Sequence, residues 1–257
     1  MSVYTTEIAS DKISSDNPIH QRLLKAYHLA KDFIHGDVLE IGCGEGRGIE
    51  LLAPMAKSYT AIDKIQEVID VLSERHPNVR FIQSTIPPIS NLQDNSYDVI
   101  VSFQVIEHIK KDRAYLKEIH RLLKPGGKAI ITTPNREKSL SRNPWHIREY
   151  RADELTLIVK EIFDKVEMKG VSGNEKVMEY YEMNKKSVER ITRFDIFNLQ
   201  YRLPSSVLRI PYELLNRFNR NKLQTSDNAL VKSIAHTDYV LSTNAEESLD
   251  LFCIMEK

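Results

Sequence analysis

Short apolar runs alternate with amphipathic stretches along the chain, and this alternation predicts an α/β protein. The runs have the length and apolar character of buried strands, whereas the stretches between them place apolar residues three or four positions apart, as helices do. Seven strands are predicted, at residues 38–43, 58–64, 79–85, 97–103, 128–133, 165–170 and 249–255. Because strands that alternate with helices form parallel pairs, the pattern predicts a doubly wound, mostly parallel sheet.

The same pattern divides the chain into three parts. Residues 1–36 form an N-terminal segment and a cap helix: residues 1–16 are polar and expected to be loose on their own, and Asn17-Pro18 begins the helix. Residues 37–174 and 241–257 carry the predicted sheet. Residues 175–240 precede the last strand, place apolar residues at helical spacing, and are predicted to form a helical insertion that covers the ligand cleft.

Glycines alternate where the first strand meets the next predicted helix, at Gly42, Gly44, Gly46 and Gly48. Glycine lets the backbone turn tightly and lets a ligand approach where no Cβ intervenes. The dinucleotide fingerprint G-x-G-x-x-G would need glycine at position 47 or 49, where the chain has arginine and isoleucine. The turn therefore predicts a cofactor cradle other than that of nicotinamide or flavin enzymes, or else an ordinary strand-to-helix turn.

The segment from Glu40 to Gly46 resembles the E/D-x-G-x-G-x-G motif of class I S-adenosylmethionine-dependent methyltransferases, in particular the type 11 and quinone-biosynthesis-like branch that acts on small molecules. The resemblance implies a Rossmann-like sheet of seven strands. It implies S-adenosyl-L-methionine as cofactor and S-adenosyl-L-homocysteine as product. It also implies that Glu40 lies near the amino end of the cofactor, and that Gly42, Cys43 and Gly44 pass under its methionine part.

Two further strand ends are predicted to bind the nucleoside. Asp63 lies 19 residues after Gly44, and a carboxylate about 20 residues beyond a glycine turn binds ribose hydroxyls in doubly wound folds. Lys64, the next residue, is also predicted to contact the cofactor. Asp63 could instead cap the following helix. The family usually has an acid after the third strand to meet the adenine amino group. Here the chain has Thr85, which can accept one hydrogen bond, and Ile86, which could cover the adenine face.

The fourth strand and the residues after it also resemble the family. Phe103 and Gln104 stand where relatives contact the methionine part of the cofactor, and Leu-Lys-Pro-Gly-Gly at residues 123–127 is a typical join to the fifth strand. The resembling blocks together cover residues 37–134. The N/D-P-P-Y/F motif of nucleic-acid methyltransferases is missing, since residues 103–106 read Phe-Gln-Val-Ile.

Two histidines are candidates for a base that takes a proton from the methyl acceptor. His108 follows the fourth strand directly, and His146 lies in the loop after the fifth strand. Each could equally be a structural histidine, capping a helix or anchoring a loop. The adjacent pair Glu107-His108 could belong to a divalent-metal site, but one pair is too little for that, and no metal is predicted.

Trp145, Arg148 and Tyr150 flank His146 and are predicted to contact the acceptor, because an indole, a guanidinium and a phenol can stack on or bind a ring or sugar. We therefore expect O-methylation of a small molecule such as a sugar, a glycan precursor, a lipid-linked ring or a secondary metabolite. Two alternatives remain: a C- or N-methyltransferase of a quinone or amine pathway, and a module that binds S-adenosylmethionine without catalysis.

Composition limits the partners. Lys plus Arg and Asp plus Glu number 36 each, so the overall charge gives no argument for nucleic acid or an anionic membrane. Residues 175–223 alone hold ten Lys or Arg against six acids, a mild positive bias. Cys43 and Cys253 lie in apolar runs and are expected to be reduced, and no stretch reads as a signal peptide or a membrane span, so a cytoplasmic protein is expected. The sequence is compatible with either a monomer or a homodimer.

Overall fold

A single mixed sheet runs through the computed structural model, which describes residues 13–257. Residues 1–12, most of the segment expected to be loose, lie outside the described part. In chain order the strands are β1 (Asp37–Ile41), β2 (Ser58–Asp63), β3 (Arg80–Gln83), β4 (Tyr97–Phe103), β5 (Leu123–Pro134), β6 (Lys165–Gly173), β7 (Tyr239–Ser242) and β8 (Asp250–Glu256). Their order in the sheet is β3-β2-β1-β4-β5-β8-β6-β7. β1 to β5 pair with one another in parallel, and β8 runs antiparallel between β5 and β6.

The predicted α/β class is confirmed, but the predicted number of strands is one too low. The additional strand is β7, which pairs antiparallel with β6 at the edge of the sheet among the described residues. It is four residues long, and its apolar residues Val240 and Leu241 are exposed. A strand this short, without a buried apolar run, has no strong periodic signal in the sequence.

Helices cover both faces of the sheet. In chain order the α-helices are α1 (Asn17–Ala30), α2 (Ile49–Leu52), α3 (Gln66–Arg75), α4 (Asp112–Leu122), α5 (Ala152–Lys160), α6 (Glu175–Thr192), α7 (Leu199–Arg202), α8 (Ser205–Ser226) and α9 (Asn228–Ser233). The last four lie between β6 and β7, where the sequence predicts the helical insertion. The division of the chain into domains stays a prediction.

The side chains of β1 alternate between two apolar layers, as expected for a strand buried on both faces. Val38 packs into the layer that contains Tyr27 and Tyr59, while Leu39 and Ile41 pack into the opposite layer. This burial fixes the register of β1 and therefore places the glycine turn at the carboxyl edge of the sheet, where open α/β folds bind their ligands.

The start of the described chain is tied to the insertion. Ser14–Asp16 forms a 3-10 helix before α1, and Asp16 is fully buried. The Asp16 carboxylate accepts hydrogen bonds from Arg217 and Arg220 of α8, at 2.8 and 3.0 Å for the Nη1 atoms. These ion pairs hold α8 across the end of α1, so that α1 and the insertion together roof the carboxyl edge of the sheet.

Candidate active site

The turn between β1 and α2 leaves open space beside its backbone. Gly42 and Gly44 have left-handed φ angles of 79° and 48°, which favour glycine over residues with a Cβ. A Cβ on Gly42 would lie 2.4 Å from Cγ2 of Val105, whereas a Cβ on Gly44 would have no atom within 4 Å. The turn is therefore a cradle that a ligand can approach closely and that a side chain at position 44 would enter.

Asp63, at the end of β2, closes one side of this cradle. Its Oδ2 atom accepts a hydrogen bond from the Gly44 N–H at 2.9 Å, and its Oδ1 atom accepts one from the Ile65 N–H at 3.1 Å. The second bond joins the end of β2 to Ile65, the residue before α3, but Asp63 is not the N-cap of that helix. A carboxylate has about four acceptor positions, so Asp63 retains capacity for the hydroxyls of a ribose.

Glu40 lies in the interior behind the turn and is 1% exposed. Its Oε1 atom accepts a hydrogen bond from the Tyr27 hydroxyl at 2.8 Å, and its Oε2 atom accepts one from the Tyr59 hydroxyl at 2.9 Å. Burial raises the pKa of the Glu40 carboxyl, and the two hydroxyls oppose that rise. These bonds join α1 and β2 to β1, so Glu40 supports the cradle from behind, and its contact with the cofactor stays a prediction.

The end of β4 lies beside the turn and has a strained backbone. Gln104 has a left-handed φ of 58°, and its N–H donates to the Thr132 carbonyl at 2.9 Å. The ring of Phe103 packs edge-on against Tyr27, with 4.7 Å between the ring centroids. Backbone strain outside glycine persists where the surrounding structure fixes it and is frequent at ligand sites. This geometry favours the predicted cofactor role of Phe103 and Gln104.

The other predicted nucleoside contacts lie farther from the interior. Lys64 and Thr85 are exposed, and Ile86 is half-buried against the layer that contains Leu39 and Ile41. The Lys64 carbonyl accepts a hydrogen bond from Nε2 of Gln83 at 3.0 Å, which joins the ends of β2 and β3. The roles of Lys64, Thr85 and Ile86 toward the cofactor stay predictions.

A cavity of about 260 Å³ lies next to Gln104, beneath the roof formed by α1, α6 and α8. The residues that line it are largely polar and include Arg22, Glu107, His108, His146, Asn184 and Asn216. Both predicted catalytic histidines thus lie in the wall of one cavity, at the position that the sequence predicts for the acceptor cleft.

Glu107 is a functional candidate that sequence reasoning considered only as half of a metal pair. It is 1% exposed. Its Oε2 atom accepts a hydrogen bond from the Thr133 hydroxyl at 2.9 Å, while its Oε1 atom is buried and has no hydrogen-bond partner. Burial raises the pKa of Glu107 to about 7, although His146 opposes the rise. A carboxyl with this pKa can take up or release a proton near neutral pH.

The two histidines are held in different ways. Nδ1 of His108 lies 3.0 Å from the Trp145 carbonyl, to which it donates, so the lone pair of the ring is on Nε2. Burial, with His146 nearby, lowers the pKa of His108 to about 4. His146 contacts Oε1 of Glu149 through Nδ1 at 2.5 Å and Nδ2 of Asn143 through Nε2 at 2.8 Å. His108 is therefore neutral at physiological pH, and His146 is anchored through both nitrogens.

The three predicted acceptor contacts lie outside the cavity wall. The Arg209 guanidinium lies 4.0 Å from the centre of the Trp145 ring. Nη1 of Arg148 is 2.6 Å from Oδ2 of Asp112, and the fully buried Tyr150 donates its hydroxyl to the same oxygen at 3.1 Å. The structure thus brings His108 and His146 together and leaves Trp145, Arg148 and Tyr150 in the loop that supports them.

A metal ion is the other ligand that this cluster could hold. Glu107, His108 and His146 each offer a ligand atom, and these atoms lie within 4.8 Å of one another. However, Asn143 and Glu149 already contact the two nitrogens of His146. A metal would have to displace one of them, so the geometry favours the metal-free interpretation, which stays a prediction.

Residues 39–131 match the family model described as "Methyltransferase domain". A protein of Mycobacterium tuberculosis (strain CDC 1551 / Oshkosh), described as a "Probable S-adenosylmethionine-dependent methyltransferase", is 38% identical over 141 residues, 52% of this chain and 51% of the relative. A "Ubiquinone biosynthesis O-methyltransferase" of Rickettsia conorii is 31% identical over 136 residues, 51% of this chain and 45% of the relative. The chain thus spans about half of the length of these curated relatives.

Solved structures share this fold. One from Thermotoga maritima, described as a "SAM-dependent methyltransferase, possible histamine N-methyltransferase", matches with a TM-score of 0.57 at 15% identity and covers 93% of this chain and 92% of that chain. At this identity the likeness concerns the fold alone. Residues 39–131 thus match a methyltransferase domain, and the Mycobacterium relative is described as dependent on S-adenosylmethionine. The open glycine cradle beside Asp63 fits that cofactor.

Proposed function

We propose that this chain transfers a methyl group from S-adenosylmethionine to an oxygen atom of a small polar acceptor. The observation that carries the proposal is Glu107, a buried carboxyl in the wall of the cavity beside Gln104, with a pKa of about 7 and one oxygen that has no hydrogen-bond partner. An oxygen nucleophile gains from a base that removes its proton. The similarity to the Rickettsia O-methyltransferase also favours transfer to oxygen.

The cofactor would be held by the glycine turn, by Asp63 and by the end of β4 at Gln104. When bound, S-adenosylmethionine would supply a methyl group on a positively charged sulfur. The positive charge already makes that sulfur a good leaving group. The tasks of the chain are therefore to position the acceptor and to exclude water, which are effects of proximity and orientation. The roof of α1, α6 and α8 over the cavity performs the second task.

Glu107 is the base in this proposal, and His108 is its partner. Above pH 7 the Glu107 carboxyl is ionised, and Oε1 can take the proton of an acceptor hydroxyl. His108 donates through Nδ1 to the Trp145 carbonyl, which fixes the orientation of the neutral ring in the cavity wall. Its pKa of about 4 makes it a weaker base than Glu107. His146 positions the cluster through Glu149.

The cavity lining favours an acceptor with several hydrogen-bonding groups. Nδ2 of Asn219 donates to Oδ1 of Asn184 at 2.7 Å, whereas Oδ1 of Asn219 is buried and has no hydrogen-bond partner. A buried acceptor atom without a partner is unfavourable, and a donor group on a ligand would satisfy it. Sugars, glycan precursors, lipid-linked rings and hydroxylated secondary metabolites all offer such donors.

The test measures methyl transfer and cofactor binding separately. The chain is incubated with S-adenosylmethionine and a panel of catechols, phenols and sugars, and mass spectrometry locates any added methyl group. We expect Glu107→Gln to lower turnover by about 10²- to 10⁴-fold, with unchanged affinity for S-adenosylhomocysteine. His108→Ala and His146→Ala test the two histidines, and Glu67→Gln, at an exposed position of α3, is the control.

Two outcomes would contradict this proposal. Unchanged turnover in Glu107→Gln would remove the base, and methylation at nitrogen or carbon, with a rate independent of pH, would favour the quinone or amine alternative. If His108→Ala and His146→Ala also keep full turnover, neither histidine acts in catalysis.

A further inference from the structure

The insertion exposes a large apolar surface. Of sixteen large apolar side chains that are exposed in residues 13–257, ten lie between residues 194 and 218. We call this set the apolar face, and it consists of Phe194, Ile196, Phe197, Leu199, Tyr201, Val207, Ile210, Leu214, Leu215 and Phe218. Isolated exposed apolar residues need no explanation, but a concentration of this kind marks a contact surface.

α8 has its polar side toward the protein and its apolar side toward the outside. Val207, Ile210, Leu214 and Phe218 recur at intervals of three and four residues, which places them on one stripe, and all four are more than half exposed. On the other side of the helix, Tyr212, Asn216 and Asn219 line the polar cavity. A surface helix of a globular protein in water shows the opposite arrangement.

Positive charge accompanies the apolar face. Residues 193–222 contain six Lys or Arg against two acids, Asp195 and Glu213. Arg193 lies over the ring of Phe194 at 5.4 Å, and Arg202 and Lys222 are exposed. Arg217 and Arg220 pair with the buried Asp16. The exposed cations therefore border the apolar residues and face outward with them.

We propose that the apolar face docks on the surface of an anionic lipid bilayer, with α8 lying in the plane of the interface. Apolar side chains flanked by cations are the pattern of interfacial helices, because the former enter the acyl boundary and the latter meet anionic head groups. No helix within residues 13–257 has the length and apolar content to cross a bilayer, which leaves a peripheral contact. A symmetric contact between two copies would bring the same surplus of positive charge to both sides, and the like charges would repel.

Sedimentation with vesicles tests this docking and needs neither cofactor nor acceptor, so its result is independent of the proposed function. The purified chain is mixed with vesicles of phosphatidylcholine and phosphatidylglycerol in equal parts, or of phosphatidylcholine alone. We expect binding to the mixed vesicles that weakens with salt. Replacing Ile210, Leu214 and Phe218 together by Gln is expected to weaken binding at least about tenfold, and Arg202→Gln about fivefold.

The matched control replaces exposed apolar residues elsewhere, Val71→Gln in α3 with Leu157→Gln in α5, and is expected to bind as the wild type does. Circular dichroism checks that every variant is folded. The docking proposal is overturned if the wild type does not sediment with the mixed vesicles, or if the triple variant binds them equally well. A wild-type dimer in analytical ultracentrifugation that the triple variant loses would instead assign the apolar face to a second copy of the chain.

Discussion

The Gly44 N–H donates a 2.9 Å hydrogen bond to Oδ2 of Asp63, which joins the glycine turn after β1 to the acid after β2. The turn predicted to pass under the methionine part of the cofactor and the acid predicted to bind the ribose are thus one connected unit. The bond fixes the left-handed conformation of Gly44 and the direction of the Asp63 carboxylate. This arrangement preorganises the cradle, which reduces the ordering required when a ligand binds.

Replacing Asp63 is expected to weaken cofactor binding strongly. Asp63→Ala removes the carboxylate that supports the Gly44 amide and that is predicted to bind the ribose, and loss of a charged hydrogen-bond partner weakens affinity by about 10- to 150-fold. Isothermal titration with S-adenosylhomocysteine measures this change. Asp32→Ala, at an exposed position after α1, is the control. Equal affinity of Asp63→Ala and the control would refute the ribose role.

The tyrosine pair around Glu40 is expected to stabilise the fold. Tyr59→Phe removes one of the two hydroxyls that the buried Glu40 carboxyl accepts from, and a buried polar group that loses a partner costs about 1–3 kcal/mol. Urea unfolding followed by circular dichroism should show this decrease in the free energy of unfolding. Tyr201→Phe, at an exposed position, should leave it unchanged. If both variants unfold alike, the hydroxyl of Tyr59 contributes nothing to stability.

Glu107 is expected to make the free energy of unfolding fall as the pH rises. Its pKa is about 7 in the folded chain against an ordinary value of 4.5, so between these values the unfolded chain has released a proton that the folded chain retains. The ionised Glu107 carboxyl therefore lowers the free energy of unfolding by ~3 kcal/mol above pH 7. Glu107→Gln should therefore be more stable than the wild type at alkaline pH, and the difference should shrink below the unfolded pKa. A difference that does not vary with pH would contradict the raised pKa.

The cluster of Glu107, His108 and His146 is expected to bind no divalent metal. Calorimetric titration with Mg²⁺, Mn²⁺ or Zn²⁺ also records heats of binding at other sites, so the isotherm of the wild type is compared with that of His108→Ala. We expect the same isotherm for both proteins, because the nitrogens of His146 are engaged by Asn143 and Glu149. A one-site isotherm that disappears in His108→Ala would place a metal at the cluster.

The sequence predicted the elements whose patterns are local. β4 has the predicted bounds, and the glycine turn stands where the motif places it, because apolar runs and glycines act within a few residues. The surroundings of Glu40 could not be predicted in this way. Its partners Tyr27 and Tyr59 come from α1 and β2, so its enclosure depends on contacts between elements that periodicity does not specify.

The same limit applies to the cavity and to the insertion. The pKa of Glu107 follows from burial, and the positions of Trp145 and Tyr150 follow from partners on α8 and α4, none of which the local sequence encodes. Helical spacing in α8 shows that Val207, Ile210, Leu214 and Phe218 share a face. It does not show which face points inward, and an inward apolar side is the usual result. In the structure the apolar side of α8 points outward.

The cradle between Gly44 and Asp63 is expected to bind the S-adenosylmethionine nucleoside, and isothermal titration of the wild-type chain with S-adenosylhomocysteine measures that binding alone. We expect saturable binding at one site, weakened in Asp63→Ala. The absence of any saturable heat with S-adenosylhomocysteine or S-adenosylmethionine, from a chain that circular dichroism shows to be folded, would contradict it.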